Sequence, residues 1–321
     1  MRVALLTGGG DCPGLNAVIR AVVRRGGAVY GDDFIGFLDA WNGVLDNNVM
    51  SLGKDDVRGL LPRGGTILGT RRGGPFDHPH GPERVTETLA NLGIDALIVI
   101  GGEGSLTVAS RLHSEYGVKV VGVPKTIDND IVGTDVCFGF HTAVQIATDA
   151  IDRLHTTAES HDRVMVVEVM GRNSGWIATY AGAAGGATVT IVPEEPFSMD
   201  DVIARISNRH AHGRYASIVV VAEGAARAAD IAPVISERTG FEVRVVQIGH
   251  VQRGGTPTAY DRMLATRYGL AAIDAVHDNA WGTMVALQNT VMTRVPLTVP
   301  AGKQRPVDTK LIDVLKESFV G

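Results

Sequence analysis

The chain has 321 residues, 45% hydrophobic and 20% charged, with a formal net charge of -5. That length holds one large α/β unit or two domains of ordinary size with a sizeable core, and the acidic balance suggests neither nucleic acid nor an anionic membrane surface as the main partner, so an anion must be met by a local site. No apolar run approaches the roughly 18 residues that span a bilayer, and the two cysteines, Cys12 and Cys137, make no disulfide framework; a soluble, cytoplasmic protein with no membrane partner is expected.

The first strand-like run, "VALL" at 3–6, ends in "TGGGDCPGLNAVIR", with a helix expected from near Asn16. Three successive glycines let the backbone come close to a ligand with its N–H groups turned inward, and the helix start adds a positive dipole end, a combination that suits phosphate. The spacing of Gly8, Gly10 and Pro13 breaks the dinucleotide fingerprint, and Leu15 follows Gly14 where a P-loop needs lysine. A tight strand-to-helix turn without a ligand is the alternative for these residues taken alone.

The segment "RRGGPFDHPHGP" at 71–82 is the most loop-like stretch, and its His78 and His80 lack the second ligand cluster that a metal site needs. "ALIVI" at 96–100 then ends in "GGEGSL". Gly101, Gly102 and Gly104 clear space over the backbone, and Ser105 is expected to cap the next helix. Glu103 can direct a carboxylate at a magnesium ion held otherwise by water and phosphate oxygens, a solvated acid being the alternative.

"KVVGV" at 119–123 runs into "PKTIDND" at 124–130. There Asp128 can accept a proton from an attacking hydroxyl, Thr126 can donate to a phosphate oxygen, and Lys125 can neutralise charge on a phosphoryl group in transfer. An Asx-turn cluster that serves only its own backbone is the alternative.

In "TAVQIATDAIDRL" the apolar set Ala143, Ile146, Ala147, Ala150, Ile151 and Leu154 marks one face of a helix. The runs "VMVVEV" (164–169), "TVTIV" (188–192), "SIVVVA" (217–222) and "VRVVQI" (243–248) read as strands buried on both faces. "SMDD" at 198–201 resembles a capping box that opens a further helix. The alternation of strand and helix predicts a doubly wound α/β fold with mostly parallel sheets, in which ligands bind outside the carboxyl ends of the strands. Arg163, Arg172, Arg244 and Arg253 are expected to share that strand-end setting, where their planar forks suit phosphate oxygens. Trp41, Trp176 and Trp281 are scattered and read as packing residues, and no G-x-S-x-G elbow supports a serine hydrolase.

Taken in order over nearly the whole chain, "TGGGDCPGLNAVIR", "GGTILGTRR", "GGEGSL", "PKTIDND", "VEVMGRNSGW", "AEG" and "GHVQRGGTPTAYDR" resemble the phosphofructokinase family, and most closely its actinobacterial ATP-dependent branch. The resemblance implies two doubly wound domains with the active site in the cleft between them, a phosphoryl-donor domain at 1–138 and 251–302 and a sugar-phosphate domain at 139–250 and 303–321. It implies magnesium-assisted phosphorylation of the 1-hydroxyl of fructose 6-phosphate by a homotetramer.

Carried over by position, Asp128 is the general base, and Thr126 and Arg172 meet the transferring phosphate. Gly10, Arg72, Gly102, Glu103, Gly104 and Ser105 lie at the donor, with Glu103 near magnesium. Asp130, Met170, Gly171, Glu223, His250 and Arg253 surround the sugar phosphate, and Arg163 and Arg244 reach in from a neighbouring subunit. Lys125 is typical of pyrophosphate-dependent members and Gly104 of ATP-dependent ones. ATP is the expected donor because aspartate at 104 would fill and repel the α-phosphate site, whereas lysine at 125 excludes nothing. Pyrophosphate is the alternative donor, and a non-catalytic sugar-phosphate-binding homologue is a further alternative. Arg20, Arg24 and Arg214 match basic residues of the bacterial effector site, but His155, Thr188, His212 and Tyr215 replace charged ones, so a weak or altered response to ADP and phosphoenolpyruvate is expected.

Overall fold

Strand β1 (Arg2–Gly8) opens the structure, a computed structural model that describes residues 1–318, and its apolar run is buried from Val3 onward. It is followed by α1 (Leu15–Arg25), β2 (Asp33–Phe37), α2 (Trp41–Leu45), β3 (Val49–Ser51), α3 (Gly81–Asn91), β4 (Ala96–Gly101), α4 (Glu103–Tyr116) and β5 (Val120–Pro124). The chain continues through α5 (Phe140–His161), β6 (Val164–Val169), α6 (Trp176–Ala184), β7 (Val189–Ile191), α7 (Met199–Ala211), β8 (Ser217–Ala222), α8 (Ala228–Thr239) and β9 (Val243–Gln247). It closes with α9 (Ala259–His277), the hairpin β10 (Thr283–Gln288) and β11 (Val291–Pro296), and α10 (Thr309–Ser318).

These elements form two units. The first comprises Met1–Thr126, Ile131–Gly139 and Arg253–Gln304; the second comprises Ile127–Asp130, Phe140–Gln252 and the chain from Arg305 onward.

Unit 1 is built on a sheet of strand order β11-β10-β5-β4-β1-β2-β3. Its middle strands are parallel, and only β3 and β11, at the two edges, run antiparallel to their neighbours. Because β1 pairs with β2 on one side and with β4 on the other, the order reverses between β1 and β4. One face of the sheet packs Leu6, Phe37, Leu97 and Val99 against Trp41, Val85, Leu106 and Leu112. On α1 and α9, which pack together, a side chain at Gly269 would begin 2.7 Å from the Val18 carbonyl and from Ala21 Cβ, so glycine sets how close the two helices come.

Unit 2 carries a four-stranded parallel sheet of order β7-β8-β6-β9. Val164, Val166, Val219 and Val221 pack on Val202, Ile206, Ile231 and Ile235 of α7 and α8. Helix α5 starts and ends beyond the periodic stretch read from sequence, and Ala143, Ala147 and Ile151 along it are buried while Ile146, Ala150 and Leu154 are half-buried.

Three local expectations need correction. Strands β7 and β9 are not buried on both faces: both are edge strands, β7 paired only with β8 and half-buried at Val189 and Thr190, and β9 paired only with β6 and exposed at Arg244, Val245 and Gln247. Ser198 does cap α7, but by accepting from the Asp200 N–H at 3.1 Å, one residue earlier than a capping box places the bond. Ser105 is not a cap; α4 begins at Glu103, with Gly102 at the N-cap and no side-chain bond there. The strands β2, β3, β10 and β11 were not expected. β10 and β11 are joined by a two-residue turn, Asn289–Thr290, in which both residues have positive φ, 48° and 71°; this is the turn handedness that fits strand twist, without the glycine that normally signals it.

Candidate active site

At the carboxyl edge of the unit 1 sheet, Gly8 of β1 lies in register with Gly101 of β4, and Gly101 with Pro124 of β5. Three loops therefore leave the sheet side by side at the place where strand order reverses, the position that binds ligands in folds of this kind. They are the "TGGGDCPG" loop, the "GGEGS" loop and the start of "PKTIDND".

The glycines are shaped by their neighbours. A side chain on Gly8 would begin 2.4 Å from Ser105 Oγ, and one on Gly101 would begin 2.4 Å from Ser105 Cβ, so the first turn of α4 sits directly against both strand ends. One on Gly10 would begin 2.7 Å from a guanidinium nitrogen of Arg253, which also donates to the Asp11 carbonyl at 3.4 Å. At Gly104 the space is open, with no heavy atom within 4 Å.

Lys125 is 3% exposed, its backbone N–H donates to the Gly101 carbonyl at 2.9 Å, and its ammonium donates to the Gly10 carbonyl. This one residue ties all three loops together. Glu103 accepts from Thr107 Oγ1 at 2.7 Å and from the Gly302 N–H at 2.8 Å, both on Oε1. Its second oxygen takes no bond from the described residues, so the group fits a cation held by one carboxylate oxygen together with ligand phosphates. No group of three His, Cys, Asp or Glu that could hold a metal by itself occurs among the described residues. Arg72 is exposed beside this loop set, where the Gly9 N–H bonds the Arg71 carbonyl at 2.9 Å.

Cys12, in the first loop, is fully buried, and burial pushes its thiol far above the usual cysteine range despite nearby Lys125. It packs as a small apolar residue and has no nucleophile's setting.

In unit 2 the carboxyl ends of β6 and β8 meet, with Val169 in register with Ala222. The loop after β6 holds Met170, Gly171 and Arg172, and the residue after β8 is Glu223. The Glu223 carboxylate accepts from the Gly171 and Arg172 N–H groups at 3.2 and 2.9 Å, and Gln252, fully buried, accepts from the Met170 N–H at 2.8 Å. Arg172 has a φ of 53° and an exposed side chain. His250 sits exposed in a short 3-10 turn, Gly249–Arg253, close after β9. The stretch Ile127–Asp130 also belongs to this unit, with Asp128 and Asp130 only 3% and 5% exposed.

Two arginines do not share the carboxyl-end setting. Arg163 precedes β6 and Arg244 lies at the start of β9, at the amino edge of the sheet, where Val164 pairs with Val243. A six-residue strand separates that edge from the Met170 loop by about 17 Å. They meet instead at Glu242: Arg163 Nε lies 2.9 Å from its carboxylate and Arg244 pairs with its other oxygen.

Reading from sequence missed Glu242, and also Gln252 and Arg305. Gln252 stood inside a quoted motif without a role, since a glutamine declares nothing about which carbonyl or N–H it will meet. His78 and His80 are exposed, and Trp41 and Trp176 are buried packing residues, as read.

The phosphofructokinase family model matches residues 2–276. The chain belongs to the phosphofructokinase family. It is a phosphotransferase that acts on an alcohol acceptor. It is 53% identical to a pyrophosphate–fructose 6-phosphate 1-phosphotransferase of Streptomyces coelicolor, covering 98% of each chain. It is 52% identical to the ATP-dependent 6-phosphofructokinase 3 of the same organism, covering 92% of this chain and 94% of the relative. Among solved structures it resembles phosphofructokinase from Pichia pastoris in the T-state, with a TM-score of 0.89 and 34% identity; the match covers 99% of this chain and 36% of the yeast chain. No helix among the described residues is long and apolar enough to cross a membrane.

Proposed function

We propose that this phosphofructokinase takes its phosphoryl group from ATP and passes it to the 1-hydroxyl of fructose 6-phosphate. The observation that carries the choice of donor is the open space at Gly104. In the first turn of α4, glycine leaves the helix N-terminus clear for an extended polyphosphate, where an aspartate would place bulk and like charge against the α-phosphate.

In this reading, Asp128 takes the proton of the attacking hydroxyl, while Thr126 and Arg172 meet the transferring phosphoryl group. The Gly10, Arg72, Gly102–Ser105 and Lys125 positions hold the donor, and Glu103 Oε2 is the group that would hold magnesium. The ion, when bound, would neutralise charge on the donor phosphates. Asp130, Met170, Gly171, Glu223, His250 and Arg253 hold the sugar phosphate. Arg163 and Arg244 serve the site of another copy in a homotetramer; their place at the amino edge of their own sheet supports this assignment. A blunted response to ADP and phosphoenolpyruvate belongs to the same reading.

One observation favours pyrophosphate. Lys125 brings a buried ammonium under the first glycine loop, 3.3 Å from where a side chain on Gly9 would begin, so it adds charge close to phosphate oxygens. It closes no space to ATP, and the choice of ATP therefore rests on Gly104. The test is a two-donor assay of the purified enzyme at saturating fructose 6-phosphate. A higher kcat/KM with ATP is expected, and a higher kcat/KM with pyrophosphate would overturn the proposal.

A further inference from the structure

Between the end of β5 at Pro124 and Ile131 the chain leaves regular secondary structure, yet Asp128, Asn129 and Asp130 are 3%, 2% and 5% exposed. Buried peptide carbonyls outside a helix or sheet need donors from elsewhere. Asn129 adds a φ of 53°, a conformation that a non-glycine residue keeps when its surroundings hold it there.

Arg305 supplies donors on two successive peptides of this stretch. Its Nη2 donates to the Asn129 carbonyl at 3.0 Å, and its own backbone N–H donates to the Asp130 carbonyl at 2.7 Å. These two bonds hold the 129–130 and 130–131 peptide planes, which flank Asp130 and lie one residue beyond Asp128.

Arg305 is itself anchored. Its carbonyl accepts from Trp176 Nε1 at 3.1 Å, and its guanidinium carbon lies 4.6 Å from the centroid of the Trp176 ring. Pro306 after it restricts its backbone to extended conformations. Two residues on, the Val307 N–H donates to Glu194 Oε1 at 3.0 Å, and the same oxygen accepts the Gly175 N–H at 2.9 Å. Glu194 and Trp176 thus fasten the 305–307 segment to the start of α6, directly after the loop that carries Arg172.

We infer that Arg305 is a positioning residue for phosphoryl transfer: through the Asn129 carbonyl it sets the direction of the Asp128 carboxylate, and through Trp176 and Glu194 it ties that direction to the Arg172 loop. The inference rests on the reading of Asp128 as general base. Displacing a reacting group by an ångström costs on the order of a hundredfold in rate, so a residue with no contact to substrate can act this strongly.

The test uses Arg305→Met, which keeps a long stem over Trp176 and the backbone bond to Asp130 but removes the donor to Asn129. A fall in kcat of roughly 10- to 100-fold is expected, with KM for fructose 6-phosphate within about threefold. Arg305→Lys, which still donates, is expected to restore part of the loss. The deciding readout is the Asp128→Ser background, where Arg305→Met should cost no further kcat because the group it positions is gone. Parental kcat in a folded Arg305→Met enzyme, or the same factor lost again in the Asp128→Ser background, would overturn the inference. If Arg305→Met does not fold, Trp176→Phe, which keeps an aromatic ring at this position and loses the indole N–H, takes its place. A smaller fall in kcat that vanishes in the Asp128→Ser background supports the inference, and a fall that persists there overturns it. A near-parental Asp128→Ser enzyme would overturn the reading of Asp128 and this inference with it, whereas a crippled Asp128→Ser beside a parental Arg305→Met overturns the inference alone.

Discussion

A side chain on Gly224 would begin 1.9 Å from the carbonyl oxygen of Arg172. The turn after β8 and the loop after β6 are fitted backbone to backbone, and neither can yield without moving the other. Gly224→Ala is expected to cost roughly 1–3 kcal/mol of stability by overpacking, read from chemical denaturation. It should also lower kcat by on the order of 10-fold or more by displacing Arg172. Parental stability and kcat would show that the loop relaxes freely.

Asp128 is buried within the Lys125–Asp130 stretch. Asp128→Ser is expected to lower kcat by roughly 10²- to 10⁴-fold, the usual contribution of a positioned acid–base group, while the dissociation constant for fructose 6-phosphate changes only a few-fold. Steady-state kinetics beside calorimetric binding separates the two effects.

Glu242 brings Arg163 and Arg244 together, and its hydrogen bond from Arg163 holds its carboxyl below the ordinary value of about 4.5. A carboxyl whose value is depressed in the folded state contributes stability that is complete above its unfolded value and is lost as pH falls through the folded one. The stability difference between the parent and Glu242→Gln should therefore be level above about pH 5.5 and shrink on acidification below about pH 4.5. Thermal melts across that range check the sign.

Thr290 turns the β10–β11 hairpin at a φ of 71°, which its branched side chain tolerates poorly. Thr290→Gly is expected to raise stability by about 1 kcal/mol through relief of that strain. The Arg267 bond to the Thr290 carbonyl, 2.5 Å long, uses the backbone and survives the change. A lower melting temperature would count against the strain argument.

Cys12 and Cys137 are both fully buried, and burial raises the Cys12 thiol. Iodoacetamide at pH 8 is expected to label neither cysteine in the native enzyme and both in urea, with mass spectrometry as the readout. Rapid labelling of native Cys12 would mean that the first glycine loop opens.

Much of this was legible in the chain itself, for physical reasons. Continuous β-branched runs such as "ALIVI" form a strand only when both faces are covered, so β1, β4, β5, β6 and β8 could be read directly. Glycine and acidic residues immediately after such runs mark the loops at the carboxyl edge, and Gly101, Glu103 and Lys125 lie there. Strand β9 looked the same by composition but lies at a sheet edge, because exposure depends on which strand is a neighbour and composition does not record that. Ser105 looked like a cap because the helix start was placed three residues late; its place is beneath Gly8 and Gly101.

What the sequence by itself determined is the family and the alternation of strand and helix, since those follow from local pattern and chemistry. Only the tertiary structure decided which loops adjoin, that Arg163 and Arg244 sit at the amino edge of their sheet, and that Arg305, far along the chain, holds the Asn129 carbonyl. Those facts depend on strand order and on hydrogen bonds between residues distant in sequence, and no single side chain carries that information along the chain.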